Sequence, residues 1–246
     1  MFRNDYLMRM IAQFSEALGA LIGLKRQRKP LEALEMAGEL FKRLFGLNPS
    51  LVRALSERDL LDLLNREGEA PREKLLLMAE LLKEEGELQG MLGREDERYR
   101  SCLKALNLAL IASREEREEG AAEWPDPDRQ IGELTEALSG YVLPNETMDM
   151  LWNHYASAGR FADAEDVLFE LLETLEDVQG AEEQDEGASD SSAGADTLRK
   201  LLADAEQFYI RLLQLDRETL EKGRLPRDEA EEGLALIRAK IAGFAP

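Results

Sequence analysis

Tyr155-Ala-Ser-Ala-Gly159-Arg-Phe161-Ala-Asp-Ala164-Glu-Asp-Val-Leu168 decides the fold of this chain. It reads as one helix ending on a glycine turn and a second helix opening at once. Glycine enters the left-handed conformation that ends a helix without a Cβ penalty. Tyr155 stands four residues before Gly159, Phe161 two after it and Ala164 five after it. The small Ala164, at the crossing, lets the helices approach closely. The stretch therefore predicts an antiparallel helical hairpin.

Similar signals lie on either side. Leu7, Met10, Ile11, Phe14, Leu18, Leu21 and Ile22 recur at the i, i+3, i+4, i+7 steps of one helix face. Basic residues Lys25–Lys29 suit the negative end of that helix, and Pro30 suits the first turn of the next. The second inner face is Leu31, Leu34, Ala37, Leu40, Phe41 and Leu44, closing at Gly46 and Asn48-Pro49. Gly19 and Gly23 are expected to let these two helices pack closely. Ser56-Glu-Arg-Asp59 reads as a capping box with Asp in place of Glu, predicting a short helix over about 57–66 that stops at Gly68. Pro71 opens a long helix with Leu75, Met78, Leu82 and Leu88 among its apolar positions; Gly93 ends it, and a partner helix follows from Glu95. Trp124-Pro-Asp-Pro127 is a rigid break, with Asp126 placed to cap a helix that starts at Pro127.

Residues 179–195 carry five acids, no base and no large apolar group. With nothing to bury, the segment is expected to be disordered, a coil spanning about 23 Å. Beyond it, Leu198, Leu201, Leu202, Ala205, Phe208, Leu212 and Leu213 form a strong apolar face, continued by Ile237, Ile241 and Phe244. The expected organisation is thus 1–117 N-terminal hairpins, 118–178 the hairpin of the opening paragraph with its approach, 179–195 the acidic linker, and 196–246 a capping hairpin of helices over about 196–222 and 226–243.

Composition agrees with an all-α chain. Leu, Ala, Glu and Arg dominate, while β-branched residues are scarce. The net charge is −20, yet residues 1–48 hold eight Lys and Arg against five Asp and Glu. An acidic body disfavours nucleic acid and anionic membrane, and suits a basic protein or peptide partner or, more plainly, solubility. Cys102 is the single cysteine, which excludes an intramolecular disulfide. Its apolar position reads as a small buried hydrophobe. The longest uncharged run near the start, Ala17 to Leu24, is too short to span a bilayer, so a cytoplasmic setting is expected.

The spacing of Tyr155, Gly159, Phe161 and Ala164 resembles a tetratricopeptide hairpin. That resemblance implies tandem antiparallel hairpins that bind partners rather than perform chemistry. Gly86 and Gly93 repeat the seven-residue glycine spacing of such a unit. Arg98 departs from its small position and Arg28 from its turn glycine. Separately, Met1-Phe-Arg-Asn-Asp-Tyr-Leu-Met-Arg-Met-Ile11 is similar to the start of an uncharacterised helical protein family of Firmicutes. That similarity runs through Leu31-Glu-Ala-Leu-Glu35 to about Ala112. It implies a helical fold and a bacterial source and supplies no activity, cofactor or catalytic residue.

Familiar catalytic patterns are missing: the chain has no Glu-x-x-His, no Gly-x-Gly-x-x-Gly, no phosphate loop and no Gly-x-Ser-x-Gly. His154, the single histidine, lies beside Trp152 and Tyr155 and reads as structural. No metal or cofactor is expected. Two groups are assigned to partner binding. Asn153, His154 and Arg160 would lie on the concave face lined by the first helix of each pair. Lys25, Arg26, Arg28 and Lys29 form a basic loop that could hold an anionic partner, an RNA or the acidic linker; the plainer reading is a solvated loop at a helix end. No aromatic interleaves with it, so a base-stacking platform is not indicated. The expected function is a non-catalytic interaction module that accepts a helix or peptide in a groove. The alternatives are a structural homodimer that swaps its C-terminal hairpin and an enzyme with no recognisable motif.

Overall fold

The structure is a computed structural model that describes residues 2–65, 71–115, 126–182 and 191–243. Twelve helices and no strand occur among them, so the fold is all-α. They gather into two compact units, Met1–Val142 and Leu143–Pro246. The division falls after Val142 rather than at the Trp124–Pro127 break; Trp124, Pro125 and the expected stop at Gly68 lie outside the described residues.

The first unit holds α1 (Phe2–Arg26), α2 (Pro30–Phe45), α3 (Pro49–Ala54), α4 (Glu57–Asn65), α5 (Pro71–Met91), α6 (Glu95–Arg114) and α7 (Pro127–Ala137). Its local rules are those of the sequence. The Asp126 side chain accepts from Asp128 N at 3.1 Å, capping α7. Ser56 and Asp59 form the reciprocal box, Asp59 N donating to Ser56 Oγ at 3.1 Å and Ser56 Oγ to Asp59 Oδ2 at 2.6 Å. Arg28 sits at φ 58°, a left-handed conformation that costs a non-glycine residue about 1–2 kcal/mol. The α1–α2 hairpin thus forms without its turn glycine.

Two local readings change. Asn48-Pro49 not only closes α2 but opens the short α3, with Asn48 Oδ1 accepting from Ser50 N. Gly19 is exposed, and a Cβ at Gly19 or Gly23 would meet nothing within 4 Å, so this pair is not the close α1–α2 crossing. The tight approach lies instead between α5 and α6, where a Cβ on Gly86 would stand 2.5 Å from Cys102 Sγ.

α5 is the axis of this unit and packs against α1, α2, α4, α6 and α7. Leu75 to Ala79, Leu81 and Leu82 are all buried, not merely the single stripe that the spacing suggested. A helix covered on every side is a core helix. Each large side chain buried there contributes about 1.5–3 kcal/mol.

The second unit holds α8 (Asn145–Ser157), α9 (Phe161–Glu182), α10 (Ser191–Leu212), α11 (Arg217–Lys222) and α12 (Arg227–Gly243). The expected hairpin is present: Gly159 turns at φ 73°, Tyr155 and Phe161 are buried beside it, and Ala164 is fully enclosed. The expected linker is shorter than 179–195, because α9 runs on to Glu182 and α10 starts at Ser191; residues 183–190 lie outside the described residues. The helix expected over 196–222 is broken after Leu212, where Asp216 caps α11 by accepting from Thr219 N at 2.9 Å. α10 packs on α9 and α12, so the C-terminal helices dock in cis. Tyr209 Oη donates to Glu165 Oε1 at 2.6 Å, and Gly233 lies against the Tyr209 ring. Ile237 is buried in this core, whereas Ile241 is half-buried and Phe244 lies outside the described residues.

Candidate functional site

The predicted partner face does not assemble as expected. His154 is buried, its ring 5.7 Å from that of Tyr155, so it offers no surface contact. Asn153 is exposed, but its amide donates to Asp149 O at 2.7 Å one turn back. Arg160 lies over the Tyr155 ring at 4.3 Å and donates to Asp163 Oδ2, bracing the turn. The three residues shape the hairpin more than they present a face.

The basic loop is also partly consumed. Lys25 Nζ donates to Glu84 Oε2 at 2.6 Å and to Glu87 Oε2, which ties α1 to α5. Burial alone would lower the Lys25 pKa, yet the two carboxylates outweigh it and raise the group above its ordinary value. Lys29 pairs locally with Glu32 at 3.1 Å. Arg26 and Arg28 remain exposed at the turn. Four charges in sequence thus leave two guanidiniums in solvent.

A groove of about 690 Å³ lies in the first unit. Leu82, Glu85 and Gln89 reach it from α5 at i, i+3 and i+7, and Glu97, Arg100, Ser101 and Lys104 from α6 at i, i+3, i+4 and i+7. Leu34 of α2, Leu103 of α6, Arg53 of α3 and Glu57 of α4 complete the lining, with Arg94 at the start of α6. None of these residues was singled out from sequence as a site. Their signal was present only as a polar stripe on α6, which reads equally well as a solvated face.

Several of the polar groups are fixed. Lys104 Nζ donates to Val52 O and Arg53 O, both at 3.0 Å, and to Leu55 O, satisfying the last carbonyls of α3. Burial outweighs the attraction of Glu57 and lowers the Lys104 pKa. Arg53 Nε donates to Glu85 Oε1 at 2.8 Å. Glu85 is 2% exposed, and burial raises its pKa although Arg53 pulls it part of the way back. The folded chain therefore holds this proton to higher pH than the unfolded chain. Stability from Glu85 is complete below the ordinary carboxylate range and is lost as pH rises through its folded pKa. Glu85→Gln should accordingly melt above the parent protein at about pH 8, with the gap closing by about pH 4. A gap that does not vary with pH in parallel thermal melts would refute this assignment.

Elsewhere in the unit, Cys102 is buried and its thiol is pushed up to about 11, chiefly by burial, which keeps it protonated at neutral pH. Among the described residues no group of three His, Cys, Asp or Glu is placed to hold a metal ion. The stretch Leu7–Arg26 of α1 is long and apolar enough to cross a membrane by length and composition. In this structure its Leu7, Met10, Ile11, Phe14 and Leu21 face is buried within the unit.

The helical pattern extends to a family model described as a family of unknown function (DUF6483), which matches residues 1–184 and 190–242. The chain belongs to that family. Membership covers both units and agrees with the resemblance of the opening residues to an uncharacterised helical family. No curated protein and no solved structure matches the chain. The DUF6483 description assigns no activity, so the chemistry of the groove itself has to support a functional reading.

Proposed function

We propose that the protein is a non-catalytic interaction module that holds a segment of a partner protein in the α2–α5–α6 groove. The reading includes the tetratricopeptide-like use of stacked hairpins and a bacterial cytoplasmic setting. One observation supports it above the others: apolar Leu34, Leu82 and Leu103 line an open groove edged by charged side chains, the make-up of a recognition site. Leu31, placed on the inner face of α2 by its spacing, is instead exposed to 58%, one turn before Leu34. The exposed face of a single hairpin residue such as Asn153 supports it less.

A photo-crosslinking amino acid placed at Leu34 tests the site, with the same probe at exposed Leu236 in the second unit as the comparison. The expected result is a discrete adduct from position 34 in host lysate that is absent from position 236. The adduct should disappear when Leu103→Glu is added, because a carboxylate there would spoil the apolar lining. Identical adduct patterns from both positions would overturn the reading.

A further inference from the structure

We propose that the occupant of this groove is acidic: a peptide segment that sets carboxylates on Arg94 and Arg100 beside an apolar side chain on Leu34 and Leu103. This rests on the groove being the recognition surface. It runs against the total charge, since a chain at −20 suits a basic partner. The local count differs. The lining holds Arg53, Arg94, Arg100 and Lys104 against Glu57, Glu85 and Glu97.

Internal bonds then remove most of those charges from play. Glu85 is occupied by Arg53, and Glu57 accepts from Asn107 Nδ2 at 3.2 Å. Lys104 spends its donors on three backbone carbonyls. Arg94 has only the neutral Gln89 Oε1, at 3.3 Å, and Arg100 has no hydrogen-bond or ion-pair partner among the described residues. Glu97, three residues from each, is the carboxylate of the lining left beside them; Asp96, four residues before Arg100, is exposed on the first turn of α6 outside the lining. Within the lining, two exposed guanidiniums therefore outnumber one unengaged carboxylate.

A guanidinium presents a planar fork that matches a carboxylate in bidentate fashion, so these two are suited to acidic side chains rather than to a point cation. A basic ligand would enter among four cations and find Glu97 as the one unengaged carboxylate of the lining. The acidic body opposes an acidic ligand only at long range, and that field is screened beyond about 8 Å at physiological salt. At contact distance the rim decides.

Random dodecapeptides displayed on phage and panned on the full chain test this, with enriched sequences synthesised as N-acetyl, C-amide peptides and measured by fluorescence anisotropy. Asp and Glu should be enriched next to an apolar residue. Arg94→Glu/Arg100→Glu should weaken the selected peptides by about 100-fold. Glu97→Gln should strengthen them a few-fold, a gain that a merely structural role would not produce. Selection of basic or uncharged peptides overturns the acidic class, as does a change of less than about 2-fold on charge reversal. The groove would still stand in that case if Leu34→Glu abolished binding. No selected peptide, or peptides indifferent to Leu34→Glu and Leu103→Glu, would overturn the groove and this inference together.

Discussion

Gly223→Ala should lower the melting temperature by about 5–15 °C, a large effect for a single methyl group. The residue ends α11 and lies against the turn between α8 and α9. A Cβ there would stand 2.8 Å from Gly159 O and would collide with the Phe161 ring. The first of these neighbours is backbone, which cannot turn aside as a side chain can. Ala162 N also donates to Gly223 O at 3.0 Å, so any retreat of the α11 end breaks a hydrogen bond that holds the start of α9. Overpacking of this kind typically costs about 1–3 kcal/mol, and the broken bond adds about 1 kcal/mol.

The same place carries the Arg224–Asp163 pair, with Arg224 Nη2 at 2.7 Å and 2.8 Å from the two carboxylate oxygens. Burial opposes ionisation of Asp163, but Arg160 and Arg224 outweigh it and hold its pKa below the ordinary value. Thermal melts of Gly223→Ala and Gly223→Ser read the effect. A shift under about 2 °C would show that the turn has more room than its geometry indicates. Light scattering on the same samples reads the exchange of α10–α12 between chains, since loosening this latch is what a swapped dimer would need.

Lys83→Met should cost about 2–4 kcal/mol, the second large effect. Lys83 is a buried lysine on α5, 2.9 Å from Glu80 Oε1 and bonded also to Glu133 Oε2 of α7. Methionine keeps the apolar stem and removes the charge, leaving Glu80 nearly buried without its cation. Glu133 is more than a third exposed and retains Arg129 at 2.7 Å, which keeps the expected cost below that of a fully enclosed pair.

Burial lowers the Lys83 pKa and the two carboxylates more than reverse that, so it stands above its ordinary value. Its contribution is present below that ordinary value and is lost as pH rises through the folded pKa. Burial raises Glu133 and the cations around it reverse that, so it stands below its ordinary value. Its contribution is present above the ordinary carboxylate range and is lost as pH falls through the folded pKa. Urea unfolding measures the substitution, and Lys83→Met/Glu80→Gln should recover part of the loss. A cost below about 1 kcal/mol for the single variant would mean that the pair is not sealed from water.

The helices and their ends were readable because their causes are local. Pro30, Asp126-Pro127, the Ser56–Asp59 box and the Gly159 turn all act within one turn of helix. The groove was not readable. Lys83-Glu84-Glu85 has the look of a solvated stretch, yet all three are buried because α1, α2, α6 and α7 surround α5. The run Leu75-Leu76-Leu77 was the available hint, since three consecutive leucines cannot share one face of a helix. His154 carried two readings, a structural residue and a lining residue of the first helix of its pair, and its burial on α8 agrees with the first.

Sequence by itself determined that this chain is all-α, where most of its helices begin and end, and that residues 155–168 form a hairpin. Only the tertiary structure decided which charges lie inside and which guanidiniums of α6 remain at a groove's edge. Caps and periodicity depend on residues a few positions apart, whereas burial depends on partners far along the chain. Lys83 meets Glu133, Lys25 meets Glu84, and Lys104 meets the carbonyls of α3 only once the helices have packed.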